Sequence, residues 1–176
     1  MKITMHDMAV GTFAPMLESL AGILDRGAEH ANTTKLDLVN ARLAPDMFTL
    51  AQQVQQACFA ARDCMSRLAG KGPAQALNAE TTFDGLERQI QETVGVVRGV
   101  PANALDGAEE RDCSIENPGA GIVFEMNGLQ LLRAWSLAHF YFHVVTAYDI
   151  LRHHGVEIGK KDYAAHVGAF IRPKQG

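Results

Sequence analysis

Two histidines four residues apart, His139 and His143, are the part of the sequence whose types and spacing best suit chemistry. Four residues make about one turn of an α-helix, so both imidazole rings would project from the same helix face. Two neutral ring nitrogens on one face can hold a Zn²⁺ or Ni²⁺-like cation. The spacing therefore predicts either a metal site or a pair of partly buried histidines hydrogen-bonded to Gln53, a tyrosine or a carboxylate.

Other catalytic patterns find little support in the sequence. Residues 140–142 read Phe-Tyr-Phe, so the glutamate of a His-Glu-x-x-His metalloprotease motif is absent. No glycine-rich phosphate loop of a recognised spacing occurs. The three cysteines, Cys58, Cys64 and Cys113, include no Cys-x-x-Cys pair and are typical of small, reduced core residues in a cytosolic protein.

Length and charge narrow the class of protein further. A chain of 176 residues fits one domain, 1–176, and a formal net charge of -4 disfavours binding to nucleic acid. The most apolar stretch, 135–151, contains two histidines and Asp149 and is too short and too polar to span a bilayer. His6 and Asp7 interrupt any secretory leader, which favours a cytoplasmic protein without a membrane partner.

Apolar residues at helical spacing predict three helices in the first hundred residues. The first covers about 4–31, although Pro15 should kink or interrupt it. The second starts at Pro45, a residue suited to the first position of a helix, and continues to about residue 69. The third opens at residue 81 or 82 and stops at Gly99.

The pattern then changes to a hairpin and a final apolar helix. Alternating residues on either side of the turn 117–121 predict a β-hairpin. The helix over 129–154 is apolar nearly all round, so it must be covered on more than one side. Either the hairpin and the C-terminal tail or a second copy of the chain would cover the remaining apolar surface, and we favour the second copy, which gives a homodimer. The tail should pack back through Ile158, Tyr163, Val167 and Phe170, and it becomes mobile from about residue 164 onward.

Several segments carry a resemblance to a known superfamily. They are 38–48 (LVNARLAPDMF), 52–55 (QQVQ), 142–152 (FHVVTAYDILR) and 155–160 (GVEIGK). These segments resemble the DinB/YfiT-like superfamily and, within it, an uncharacterised branch, domain of unknown function nineteen-ninety-three. They are spread over most of residues 1–163.

The resemblance implies an all-α, antiparallel four-helix bundle with a small β-hairpin inserted before the last helix, and frequently a dimer. Many members of the superfamily bind a divalent metal through three histidines, one on helix 2 and two on helix 4. Some of these relatives act as thiol-dependent transferases or isomerases. The second predicted helix of this chain has no histidine. Gln53 or Asp46, which are seven residues apart, would have to replace the third ligand beside His139 and His143.

Two functions follow as expectations. The first is a DinB-like homodimer with a vestigial or absent metal site, no cofactor, and a cavity for a small apolar molecule. The alternative is a divalent-metal-dependent enzyme of the transferase, isomerase or hydrolase type. In that enzyme His139 and His143 would be ligands of a Zn or Ni cation, and Gln53 or Asp46 would complete the set. The sequence assigns no catalytic residue.

Overall fold

The computed structural model describes residues 3–172, and most of them are helical. The long helices are α1 (Met5–Thr34), α2 (Leu50–Leu68), α3 (Phe83–Arg98) and α4 (Leu137–His153). An antiparallel hairpin of β1 (Asp112–Asn117) and β2 (Ile122–Asn127) precedes α4, as predicted. The helical segments outnumber the four predicted. The shorter ones are Ala102–Leu105, Ala108–Glu110, Gly128–Gln130, Leu131–Ser136, Lys160–Tyr163 and Ala165–Phe170.

Helix α1 begins with a capping box and runs through its proline. The Thr4 side chain accepts from the Asp7 amide, and the Asp7 carboxylate accepts from the Thr4 amide. Pro15 lies inside the continuous helix, so the predicted interruption there is wrong. A proline removes only one backbone donor, and its neighbours Phe13 and Leu17 are fully buried. Their packing against the core holds the segment helical.

Helix α2 begins five residues later than Pro45, so the predicted start is wrong. Thr49 and Gln52 form a capping box: Thr49 Oγ1 accepts from the Gln52 amide, and Gln52 Oε1 accepts from the Thr49 amide at 2.9 Å. These two reciprocal hydrogen bonds satisfy backbone amides at the start of the helix. A proline at the first helical position would supply no such acceptor for them. Asp46 consequently lies in an exposed turn before the helix rather than in its first turn.

The core lies between paired helices, with α2 packed chiefly on α4 and α1 on α3. The rings of Phe13 and Phe140 meet edge to face with centroids 5.0 Å apart, and both are fully buried. Cys58, Cys64 and Cys113 are buried, unpaired thiols, which confirms their predicted place in the core.

The hairpin is fixed to α2 by a partly buried ion pair. Arg67 Nε lies 2.7 Å from Asp63 Oδ2, and Arg67 Nη1 donates to the carbonyl oxygen of Ser114 on β1 at 2.6 Å. The other carboxylate oxygen of Asp63 accepts from the Ala74 amide. This network therefore holds the hairpin and the loop after α2 together.

The segment leading into α4 has a wide helical turn. Asn127 caps the helix through a capping box with Gln130, as its position before the predicted helix suggested. Residues Leu131–Ser136 then form a π-helix, which the apolar pattern did not predict. The helix ends at His153, and Gly155 follows it with φ of 86°, which confirms the predicted stop.

The tail packs on the core less than expected. Ile158 is buried and Tyr163 is half-buried, but Val167 and Phe170 are exposed, so the prediction for those two residues is wrong. Of the tail from about residue 164 that we expected to be mobile, residues 165–170 form a short helical segment, and residues 173–176 lie outside the described part of the chain. No helix within residues 3–172 combines the length and apolarity needed to cross a membrane.

Candidate functional site

The structure brings Gln53 on α2 and His143 on α4 together. Nδ1 of His143 lies 2.7 Å from Oε1 of Gln53, a side chain that is 1% exposed. An amide oxygen can only accept, so Nδ1 carries the hydrogen and Nε2 keeps a lone pair. The Gln53 amide nitrogen donates to the carbonyl oxygen of Phe48 at 3.4 Å, which agrees with this orientation of the amide. Gln53 thus fixes the tautomer of His143.

The neighbouring histidine is fixed in the same way by the backbone. Nδ1 of His139 lies 2.7 Å from the carbonyl oxygen of Trp135, one turn earlier. This carbonyl oxygen can also only accept, so His139 likewise keeps its lone pair on Nε2. Metal-binding histidines in proteins commonly donate their other ring nitrogen to such an acceptor. The site therefore offers two Nε2 lone pairs, of His139 and His143, on one face of α4.

Aromatic rings surround both imidazoles. Phe48 stacks near His143 with centroids 6.3 Å apart, and Phe142 meets the same ring edge to face at 5.3 Å. The Trp135 ring lies 4.3 Å from that of His139 and also contacts Phe124 on β2. His139 and Phe142 are exposed, whereas His143 is half-buried. The result is a shallow aromatic surface with two hydrogen-bond acceptors.

Burial keeps His143 neutral. Loss of solvation, with a smaller contribution from the nearby His139 charge, lowers the pKa of His143 to about 4. The ring is therefore unprotonated at neutral pH, and its Nε2 lone pair is available to a cation or a hydrogen-bond donor.

Comparison with known proteins places this arrangement in a family. Residues 5–164 match a family model described as Domain of unknown function (DUF1993). The chain belongs to this family. A solved structure, the crystal structure of a DinB family member protein from Shewanella denitrificans, is 33% identical, with a TM-score of 0.80. The match covers 97% of this chain and 94% of that one, whereas no curated protein matches.

The DUF1993 match spans α2 and α4, so Gln53, His139 and His143 all lie within the family's domain. The resemblance to the uncharacterised DinB-like branch is confirmed. Family membership itself assigns no reaction to these residues.

The donor set of this DUF1993 chain does not fit a three-histidine metal centre. Gln53 presents its oxygen to His143 Nδ1, and Asp46 lies in the exposed turn before α2, with no hydrogen bond to either histidine among residues 3–172. Over those same residues, no three His, Cys, Asp or Glu side chains are grouped to hold a metal ion. The two imidazoles lie one helical turn apart on α4, and no third ligand joins them among residues 3–172.

The sequence singled out the two histidines and Gln53 but missed the Trp135 carbonyl oxygen and the Phe48 ring that contact them. Trp135 precedes His139 by one helical turn, which is the spacing that allows a ring to reach a backbone carbonyl. That spacing was visible in the sequence. Phe48, in contrast, reaches His143 only because the turn before α2 folds onto α4, and no sequence signal indicated it.

A surface cleft of about 670 Å³ lies away from the two histidines, between the loop after α2 and β1. Its residues include Arg67, Arg111 and Cys113, but neither histidine. The Arg67 guanidinium is already held by Asp63 and the Ser114 carbonyl oxygen. Burial raises the pKa of the Cys113 thiol, so it is a poor nucleophile. The histidine face is therefore the better candidate for chemistry.

Proposed function

We propose that this protein is a DinB-like bundle of long helices whose His139–His143 pair is a vestigial, two-ligand cation site that now serves as a binding surface. One observation carries the proposal. Both rings offer Nε2 lone pairs on one face, but the α2 residue that faces His143 is Gln53, and its oxygen already accepts from Nδ1. Among residues 3–172 no third His, Cys, Asp or Glu side chain joins the two histidines.

The surroundings of the pair favour a small apolar ligand that carries a hydrogen-bond donor. Trp135, Phe48 and Phe142 supply aromatic faces, and the two Nε2 atoms accept from an O–H or N–H group. Binding sites for small molecules commonly combine apolar walls with a few placed polar groups. Because burial holds the pKa of His143 near 4, its acceptor persists at neutral pH.

Metal content and metal titration test the proposal. Protein purified without chelator should carry far less than one metal per chain. Added Zn²⁺ should bind with a dissociation constant on the order of micromolar or weaker, measured by calorimetry at pH 7. His139→Ala and His143→Ala should each abolish that binding. His153→Ala, which removes an exposed histidine from the end of α4, is the matched control and should leave binding unchanged. One tightly held metal per chain, lost with either site histidine, would overturn the proposal.

That overturning result would favour a second candidate, the divalent-metal-dependent enzyme of the transferase, isomerase or hydrolase type. It is supported by the fixed orientation of both rings, because metal-binding histidines commonly donate their other ring nitrogen to an acceptor in this way. It needs a third ligand, for which Gln53 would have to turn away from Nδ1 or the Asp46 turn would have to close. Asp46→Ala tests whether the Asp46 carboxylate is the third ligand. If the Asp46 carboxylate completes the set, this change weakens Zn²⁺ binding, and under the vestigial site it does not.

A further inference from the structure

Arg111, which immediately precedes β1, is a cation without a partner. It is half-buried and forms no ion pair and no side-chain hydrogen bond within residues 3–172. Its Nε atom is shielded from solvent and has no acceptor there. A guanidinium has five N–H donors, and a buried charged donor without an acceptor costs free energy. This arrangement indicates that an anion from outside the chain pairs with the two terminal nitrogens of Arg111.

The loop after α2 leaves room for this guanidinium at Gly70. That glycine has φ of 74°, and a Cβ atom added to it would lie 2.5 Å from Arg111 Nη1. Gly72 has a similar φ of 76°, but a Cβ added there would meet nothing within 4 Å. Both conformations favour glycine, and Gly70 also provides the space that Arg111 occupies. The Arg111 side chain is therefore held against the loop rather than extended into solvent.

Arg67 brings a second guanidinium to the same cleft. Its Nε lies against Asp63 and its Nη1 donates to the Ser114 carbonyl oxygen, while its Nη2 donates to no acceptor among residues 3–172. Burial raises the pKa of the Cys113 thiol, and the charges of Arg67 and Arg111 oppose that shift, so both guanidiniums lie near this thiol. Asp63 neutralises Arg67, which leaves Arg111 as the uncompensated cation.

Two carboxylates restrict the kind of anion that the cleft accepts. Asp112 and Glu116 also line it, both are exposed, and neither forms an ion pair with Arg111. Their charges repel a doubly charged anion more strongly than a singly charged one. Pro73 and Ile115 add apolar walls, and the volume of about 670 Å³ is typical of a small-molecule site. The cleft therefore suits a singly charged anion with an apolar body.

We propose that this cleft binds the carboxylate of a small organic acid through Arg111. The planar guanidinium matches a carboxylate, because its two terminal nitrogens donate parallel hydrogen bonds to the two oxygens. The Nη2 atom of Arg67 supplies a further donor, and the apolar body of the acid lies against Pro73 and Ile115. The inference does not rest on the proposed function of the histidine pair. One carboxylate contact in an open cleft gives a dissociation constant on the order of millimolar.

A titration followed by ¹H–¹⁵N NMR tests the binding, with benzoate as the probe. Benzamide is the uncharged counterpart of the probe, and inorganic phosphate is the competing kind of anion. Benzoate should shift the amide signals of residues 70–72 and 111–116, and the shifts should saturate. Benzamide and phosphate should each bind at least about tenfold more weakly than benzoate.

Arg111→Gln removes the charge and the fork of donors, so it should weaken benzoate binding at least about tenfold. Arg133→Gln is the control, because Arg133 is an exposed arginine before α4 that does not line this cleft. It should bind benzoate as the wild type does.

Gly70→Ala and Gly72→Ala form a matched pair that tests the geometry. Each places an alanine at a similar positive φ, but only Gly70→Ala displaces the Arg111 guanidinium. Gly70→Ala should weaken benzoate binding at least about tenfold, and Gly72→Ala should leave it at the wild-type value. Four results would each rule out the site: no saturable shifts in the wild type, unchanged binding in Arg111→Gln, phosphate bound as tightly as benzoate, or equal affinities for the two glycine variants.

Discussion

Phe140 and Phe142 belong to the same helix, two residues apart, and have opposite surroundings. Phe140 is 0% exposed and packs against Phe13, whereas Phe142 is 56% exposed and contacts the ring of His143. Two residues turn an α-helix by about 200°, which places them on opposite sides. The apolar residues around α4 thus have two separate causes, a packed core on one side and a surface suited to contact on the other.

Removing each ring in turn gives the largest expected difference between the two sides. Phe140→Ala should lower the free energy of unfolding by about 3–5 kcal/mol, because it leaves a cavity against Phe13. Phe142→Ala should change it by no more than about 0.5 kcal/mol, since solvent already reaches that ring. Denaturant unfolding of both variants at low protein concentration measures the difference. Similar losses for both would mean that Phe142 is buried in solution.

A histidine in place of Gln53 tests the boundary between the buried and the exposed side of α4. Gln53→His supplies a third imidazole beside His143 and removes the amide that now occupies Nδ1. We expect Zn²⁺ affinity to rise at least about tenfold, or about 1.4 kcal/mol, by calorimetry at pH 7.

Gln56→His, on the same helix but without a hydrogen bond to either site histidine among residues 3–172, serves as the control. It adds an imidazole without placing it at the site, so its affinity should stay at the wild-type value. Equal gains for both variants would show that Gln53 does not mark the place of the missing ligand.

The smallest expected effect is the dependence of stability on pH that His143 causes. The unfolded ring has its ordinary pKa of 6.5, and the folded ring has a pKa of about 4, so the unfolded state binds the proton more readily. The stabilisation is complete above pH 6.5 and is lost as pH falls toward 4. Allowing for solvent screening of a half-buried ring, we expect a loss of about 1 kcal/mol.

His143→Gln removes this titration and serves as the reference. Its free energy of unfolding should fall less than that of the wild type between pH 7 and pH 4. Parallel pH profiles for the two proteins would contradict the lowered pKa.

Local signals in the sequence predicted the elements that depend on local chemistry. The hairpin follows from alternation around 117–121, and the Asn127 cap and Gly155 stop follow from residue types at helix ends. The contact between His143 and Gln53 was among the alternatives because the family resemblance implies a ligand on the second helix, where Gln53 lies.

The features that sequence reasoning missed depend on competition or on distant packing. Pro45 suited a helix start, but the box of Thr49 with Gln52 satisfies more amides and fixes the start of α2. Pro15 stays inside α1 because tertiary packing outweighs one lost hydrogen bond. The π-helix shifts the rotation of the chain, but this segment is apolar nearly all round, so the shift does not show in the periodicity.

The π-helix at Leu131–Ser136 sets how far the hairpin is rotated about the helix axis relative to the histidine pair. Its wide turn accommodates one residue more than an α-helix of the same height. Deleting that residue would turn the upstream chain by about 100° relative to α4 and carry the Phe124 ring of the hairpin away from Trp135. A change of one residue in the length of this turn would therefore move the hairpin relative to the histidine pair while leaving the pair itself in place.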